Sequence, residues 1–292
     1  MPGIQTNRTT TGAYLPVDLS GEIWSRTQEA SAVMNLATQM TVPGNGTVVN
    51  MLTGDPQAQW VDETEIIPVG AHTQGQKKIS RYKMGVILPF SNEFARDSPE
   101  LFDAIVNRVP GAFAELFDGT VFGKDTKPGE NFDQLNGCAA VDVKTDPWTG
   151  LVTADAIVAQ NNAILNGYAI SPKMKSLLLA AKDGMQRPLF VNGVASDGIP
   201  MLLGSPTYLS RRAYLATNPE TIGFAGDWTS ARYAIGDGIF MSYTDQSTIT
   251  IDGQQVNLWE RDMFAIKFTA EFAFRCKDLN DFVCLTGNAM ES

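Results

Sequence analysis

The chain has 292 residues and a formal net charge of −10, from 32 acidic and 22 basic side chains, with a single histidine. That length holds one large or two modest domains around a core that needs no staples. The acidic balance excludes a protein that finds nucleic acid by its overall charge, which takes clustered Lys and Arg, and one histidine excludes a multi-histidine metal site.

Residues 1–46 read as an arm. Residues 6–12 are Thr-rich and polar, predicting an extended or disordered start. A mild helical period then runs over residues 18–39 through Leu19, Ile23, Val33 and Leu36, and Pro43-Gly44-Asn45-Gly46 ends it as a turn.

Residues 47–90 read as a long hairpin. The outgoing side carries Ala58, Trp60, Val61, Ile66 and Ile67, residues 68–75 form the tip, and residues 77–88 return with Ile79, Val86 and Leu88. Charge is segregated: Asp55, Asp62, Glu63 and Glu65 lie on the way out, and Lys77, Lys78, Arg81 and Lys83 on the way back. Opposite charges facing across a ribbon add only a few tenths of a kcal/mol per pair, and an isolated two-stranded ribbon is marginal in water. The hairpin therefore either rests on a neighbouring subunit or packs on its own domain.

Residues 98–123 predict a helix. Ser98 suits the N-cap, Pro99 the first turn and Glu100 the positive end of the dipole. Leu101, Ile105, Val109, Phe113, Leu116 and Phe117 form an apolar stripe. Pro110 falls mid-helix and predicts a kink. At 1.5 Å per residue the helix would be about 39 Å long.

Residues 124–150 are rich in loops. Residues 151–250 alternate helix and short strand, an α+β or α/β module. Thr153 is a candidate cap for a helix through Ile157, Ile164 and Leu165. Residues 168–170 form a strand, and Ser171-Pro172 opens a helix ended by Gly184. Short apolar runs follow at 188–191, 201–203, 214–215, 222–226, 232–235 and 239–243. The cleanest strand comes next. Phe264, Ile266, Phe268, Ala270, Phe272, Phe274 and Cys276 hold every even position, and Lys267, Thr269, Glu271 and Arg275 are among the odd ones. A period of two predicts one buried and one wetter face over about 43 Å. Residues 282–285 close the chain with a last strand.

Catalytic and cofactor constellations are sparse. His72 lies in Gly70-Ala71-His72-Thr73-Gln74-Gly75, which reads as a solvated loop tip. Cys138, Cys276 and Cys284 have no CxxC spacing and read as reduced, partly buried thiols. Gly119-Thr120-Val121-Phe122-Gly123-Lys124-Asp125 falls short of a phosphate loop, which needs four residues between the glycines and a Ser or Thr after the lysine. Asp62, Glu63 and Glu65 read as an acidic hairpin face. The start shows neither part of a signal peptide, and no apolar run reaches the roughly 18 residues of a membrane span. No cofactor, metal or enzymatic activity is expected. An arm, a long hairpin and an elongated core are instead the parts of a lattice-forming protein.

Several segments, in order, resemble the HK97-type bacteriophage major capsid protein. Tyr14-Leu15-Pro16 resembles the start of its N-terminal arm, and residues 58–65 (AQWVDETE) the outgoing strand of its E-loop. Residues 78–98, with Phe90-Ser91-Asn92-Glu93 and Asp97-Ser98-Pro99, resemble the return strand entering the spine helix. Residues 178–190 (LLAAKDGMQRPLF), Leu203-Gly204-Ser205-Pro206-Thr207 and Gly226-Asp227-Trp228 are similar to A-domain segments. Glu260-Arg261-Asp262-Met263 resembles the entry to the last P-domain strand.

The resemblance implies an α+β, HK97-like capsid fold. It divides as arm (1–46), E-loop hairpin (47–90), discontinuous P-domain (91–150 and 251–292) and A-domain (151–250). It also implies pentamers and hexamers closing an icosahedral phage head, in the virion and assembled in the host cytoplasm, around double-stranded DNA that is not bound by sequence. A separate scaffolding protein, decoration and portal proteins are the expected partners, with no membrane. An encapsulin-type compartment shell is the alternative. Trp60, Asp62, Glu63, Glu65, Lys77, Lys78, Arg81, Arg261 and Asp262 are the candidate inter-subunit contacts. Some relatives join an E-loop lysine to a P-domain asparagine by an isopeptide bond. Here Asp262 stands where the asparagine would align, so a non-covalent shell is expected.

Overall fold

The computed structural model describes residues 26–27, 30–43, 47–52, 74–97, 107–190, 201–236, 238–251 and 253–287. In chain order these form α1 (Ala32–Leu36), β1 (Thr38–Thr41), β2 (Thr47–Leu52), β3 (Gln74–Ile79), β4 (Tyr82–Ser91), α2 (Asn92–Asp97) and α3 (Val109–Phe122). Next come β5 (Ala139–Asp142), α4 (Pro147–Gln160), β6 (Gly167–Ile170), α5 (Pro172–Ala180), β7 (Met201–Leu202), β8 (Ser205–Leu209) and β9 (Glu220–Gly226). The last are β10 (Ala231–Ile235), β11 (Phe240–Thr244), β12 (Thr248–Ile251), β13 (Gln254–Asn257), β14 (Met263–Cys276) and β15 (Phe282–Gly287).

The period-two segment is β14, and all seven even positions from Phe264 to Cys276 are buried. It organises a five-stranded sheet. β4 runs antiparallel along one edge, from Ser91 opposite Met263 to Tyr82 opposite Phe272. β11 and β10 share the other edge, and β1 adds to β10 in parallel. A six-stranded sheet has the order β5-β15-β9-β6-β8-β7. Its central strands β6, β9 and β15 are covered on both faces: along β15, Phe282 and Cys284 join the first core and Val283 and Leu285 the second. Burial on both faces is why residues 282–285 are continuously apolar and do not alternate.

α3 lies between the sheets. Phe117 meets Phe272 at 5.4 Å and Tyr233 at 6.4 Å on the first sheet, while Phe122 stacks on Phe224 of the second at 4.8 Å. α4 and α5 cover the far face of the second sheet through Leu151, Ala154, Val158, Met174 and Leu178. α5 begins as its sequence predicts, with Ser171 accepting from the Met174 amide. α3 ends at Gly123, whose φ of 85° is the left-handed cap that glycine adopts without strain. The phosphate-loop lookalike is therefore a helix end, and the Gly119 carbonyl accepts from the amides of Lys124 and Asp125.

Several local expectations change. The helix expected over residues 98–123 begins, among the described residues, at Val109, and Ser98 lies outside them. Among the described residues Pro110 lies in the first turn of α3, where a missing N–H leaves no bond unmade, and the kink expected there falls at the boundary with residues 98–106, outside the described residues. The described length is about 21 Å at 1.5 Å per residue. Leu116 is 42% exposed, off the buried stripe. Thr153 caps nothing; it lies inside α4, its hydroxyl donating to the Thr149 carbonyl, and Asp146 is the cap. α5 ends at Ala180, four residues before Gly184.

Strand pairing also follows other lines than the expected segment boundaries. Residues 30–42 of the arm are core, with Val33 and Val42 buried and β1 in the first sheet. The hairpin pairs Thr47 with Ile79 through Leu52 with Gln74, so it closes at residue 79, not 90. The expected return strand breaks after Ile79, and β4 belongs to the sheet on β14. β10 and β11 also pair with β14, whereas β15 joins the second sheet.

At Gly226 the backbone of the β15 end leaves β9 no room for a side chain. A Cβ there would come 2.5 Å from the Asp281 carbonyl oxygen and 2.9 Å from the Phe282 Cα, both backbone. Gly226→Ala is expected to cost about 3 kcal/mol by forcing these strands apart, read as a lower midpoint in urea unfolding.

Candidate assembly surfaces

The base of the hairpin is built from residues far apart in sequence. The Lys77 ammonium donates to the carbonyls of Cys276 (3.0 Å) and Lys277 (2.9 Å). Arg275 returns the contact, its Nε donating to the Lys78 carbonyl at 3.0 Å. Its guanidinium pairs with Asp133, which also accepts from the Cys276 amide at 3.1 Å. Ile79 is fully buried with Val42, Ala234 and Ala273.

The sequence expectation of lysines facing acids across the ribbon is not met at Lys77 and Lys78, which stand opposite Val49 and Val48. Lys78 is exposed. Arg81 is largely buried, its Nε 3.3 Å from Glu271 Oε2. Trp60, Asp62, Glu63, Glu65, Asp55 and His72 lie outside the described residues.

Asp262 opens β14. It caps the turn after Trp259–Arg261 with a φ of 50° and ties β14 to α2: Asn92 Nδ2 donates to its Oδ1 at 2.6 Å and the Asn92 amide to its carbonyl at 3.1 Å. Arg261 is exposed and makes no ion pair among the described residues. Of the nine candidate contacts, the structure thus engages Lys77, Arg81 and Asp262 within the subunit and leaves Lys78 and Arg261 exposed.

A second junction escaped sequence reading. Asp118 on α3 is buried and accepts from Ser31 Oγ (2.6 Å), the Ala32 amide (3.0 Å), the Val33 amide (3.4 Å) and Ser210 Oγ (3.0 Å). It joins the arm, α3 and the β8 loop. Burial pushes its carboxyl up to about 6, although all four bonds favour the ionised form. The available signal was an acid inside an apolar stretch, between Phe117 and Val121.

Exposed large apolar side chains complete the surface. Met185, Met201 and Leu189 are exposed near α5 and β7, and Phe240, Tyr243 and Trp259 around the β11–β13 segment, with Trp259 69% exposed. Such side chains mark contact sites where they gather. Among the described residues there is no His, Cys, Asp and Glu grouping that could hold a metal, and no helix long and apolar enough to cross a membrane. The three cysteines are free. Burial pushes Cys276 up to about 12, and the Cys284 thiol together with burial raises Cys138.

A helix clasped between two sheets, one of them organised by a 14-residue strand with the base of the hairpin beside its end, is the α+β architecture of the HK97-like class. The sequence profile described as the phage capsid family matches residues 11–287, and the chain belongs to that family. It is 26% identical to the probable major capsid protein of Mycobacterium phage D29 over 97% of this chain and 92% of that one. A solved chain from Gordonia phage Cozz superposes with a TM-score of 0.75 at 21% identity, covering 89% of this chain and 87% of that one. The capsid of a native GTA particle gives 0.67 at 14% identity, over 98% and 95%. The family is structural and not enzymatic. Its matches do not favour the encapsulin alternative.

Proposed function

We propose that this chain is the major capsid subunit of a tailed phage, its copies forming pentamers and hexamers that close an icosahedral shell around double-stranded DNA. The family match over residues 11–287 carries the reading, and a fold shared across nearly the whole chain supports it. Arm, hairpin and two interleaved domains are the parts that such a subunit uses. Trp60, Asp62, Glu63, Glu65, Lys78 and Arg261 are the residues through which it meets its neighbours. A scaffolding protein assists assembly in the host cytoplasm, and portal and decoration proteins complete the head. The negative net charge suits a shell that encloses DNA without adhering to it. The shell is non-covalent, because position 262 offers a carboxylate, already bonded to Asn92, and no carboxamide.

Electron microscopy of the purified chain, expressed with and without a cognate scaffold, tests this. Closed shells of uniform diameter are expected, and their absence under both conditions would overturn the reading. Mass analysis of denatured shells is expected to return single chains. Trp60→Ala is expected to lower the yield of closed shells at least tenfold while the subunit's unfolding midpoint stays within about 2 °C, the outcome that a contact made between subunits requires. A normal shell yield would remove Trp60 from the interface.

A further inference from the structure

The β4·β14 ladder stops at Tyr82 opposite Phe272. Ser80 and Arg81 then separate β4 from β3. β3 continues beside the last residues of β14, but its backbone pairs with β2. Among the described residues, the bonds that join β3 to the end of β14 are made by side chains, crossed in direction. Lys77 reaches from the hairpin to the Cys276 and Lys277 carbonyls. Arg275 reaches from β14 to the Lys78 carbonyl.

We infer that Lys77 and Arg275 are positioning residues: a crossed pair of cation-to-carbonyl clamps that sets the angle at which the hairpin leaves the subunit. Ile79 is the pin of this joint. It is fully buried against Val42, Ala234 and Ala273, so the hairpin stays attached when the clamps open. A joint held by a few side-chain bonds turns more easily than a ladder, because turning breaks no backbone pairing. The clamps are asymmetric in strength. Arg275 is held rigid by Asp133, which bonds both its guanidinium and the Cys276 amide. Lys77 is a flexible chain with two neutral acceptors, so it is the clamp that releases first. Its bonds are charge-assisted without being ion pairs. That the hairpin angle matters for shell geometry rests on the proposed capsid function.

Hydrogen–deuterium exchange on the purified full-length subunit tests the joint directly. In Lys77→Met, the amides of residues 74–79 that are not bonded to β2 are expected to lose the shielding of β14 and exchange at least fivefold faster, with the amides bonded to β2, β4, α3 and residues 263–272 unchanged. Lys77→Arg, which keeps a cation able to reach two carbonyls, is expected to restore wild-type exchange, and Lys78→Met to leave it unaltered. Wild-type exchange in Lys77→Met, or acceleration spreading through β4 and α3, would overturn the proposal. Electron microscopy of the same variants then reads the consequence: Lys77→Met is expected to give mixed particle diameters where Lys77→Arg gives the wild-type diameter. Uniform wild-type particles from Lys77→Met would refute the role in shell geometry. Wild-type chains that form no shells would sink the proposed function, while the exchange data still decide the joint.

Discussion

Asp118→Ala is expected to cost about 4 kcal/mol of subunit stability, one of the largest single-residue effects in the chain. The carboxylate accepts four hydrogen bonds at a buried meeting of three segments. Alanine leaves the Ala32 and Val33 amides without acceptors, each unpaired buried donor costing about 1–3 kcal/mol, and opens a small void. The two serine hydroxyls can turn elsewhere and soften the loss. Asp118→Asn behaves differently, because it keeps the shape and one acceptor oxygen. The wild-type carboxyl has its pKa raised from 3.8 to about 6 by burial. A raised folded-state value means that the folded chain prefers the protonated form. The associated stability is fully present below about pH 3.8 and is lost as pH rises through about 6. The span corresponds to about 3 kcal/mol. Urea unfolding of wild type and Asp118→Asn at a series of pH values checks the sign: between pH 4 and pH 7 the wild type should lose stability relative to the asparagine variant. A constant difference across that range would show that Asp118 does not titrate as its burial requires.

Phe117→Ala is expected to cost about 3–5 kcal/mol, the range for deleting a fully buried aromatic. Phe117 is completely buried and touches the rings of Phe132, Tyr233, Phe272 and Phe274, at 5.4–6.4 Å between centroids. These come from β10, β14 and the loop after α3, so the ring joins the helix to the long strand. Phe117→Leu retains most of the apolar volume and should cost well under half as much. Trp259→Ala provides the contrast: its ring is 69% exposed, and its removal should move the unfolding midpoint little, within about 0.5 kcal/mol. If Phe117→Ala unfolded at the wild-type denaturant concentration, α3 would not be the centre of this core.

Lys77 shows what kind of site information is legible in a sequence. The segregation of basic residues on the returning side singled it out, but the nature of its partners was hidden. They are backbone carbonyls 199 and 200 residues away, and a carbonyl leaves no trace in residue identity. Asp133 and Arg275, 142 residues apart, are equally silent, since either is an ordinary surface charge when read alone. Asp118 was visible only as an acid in an apolar stretch, and whether it faced water or the arm depended on where residues 31–33 dock.

The sequence alone determined the features that rest on local periodicity and local hydrogen bonding. The period of two over β14 specified a strand with a buried even face, since alternate side chains must point to opposite sides of a pleated backbone. Ser171-Pro172 specified a helix start, since a hydroxyl can cap a free amide and a proline has none to waste. The order of the short segments along the chain sufficed for the capsid resemblance. Tertiary structure alone decided which strands share a sheet, that Leu116 falls outside the buried stripe of α3, and that residues 30–42 pack into the core. Those outcomes depend on contacts between residues far apart in the chain, whose pairing is set by the total apolar surface buried and by the backbone groups left to satisfy. No window of neighbouring residues contains that sum.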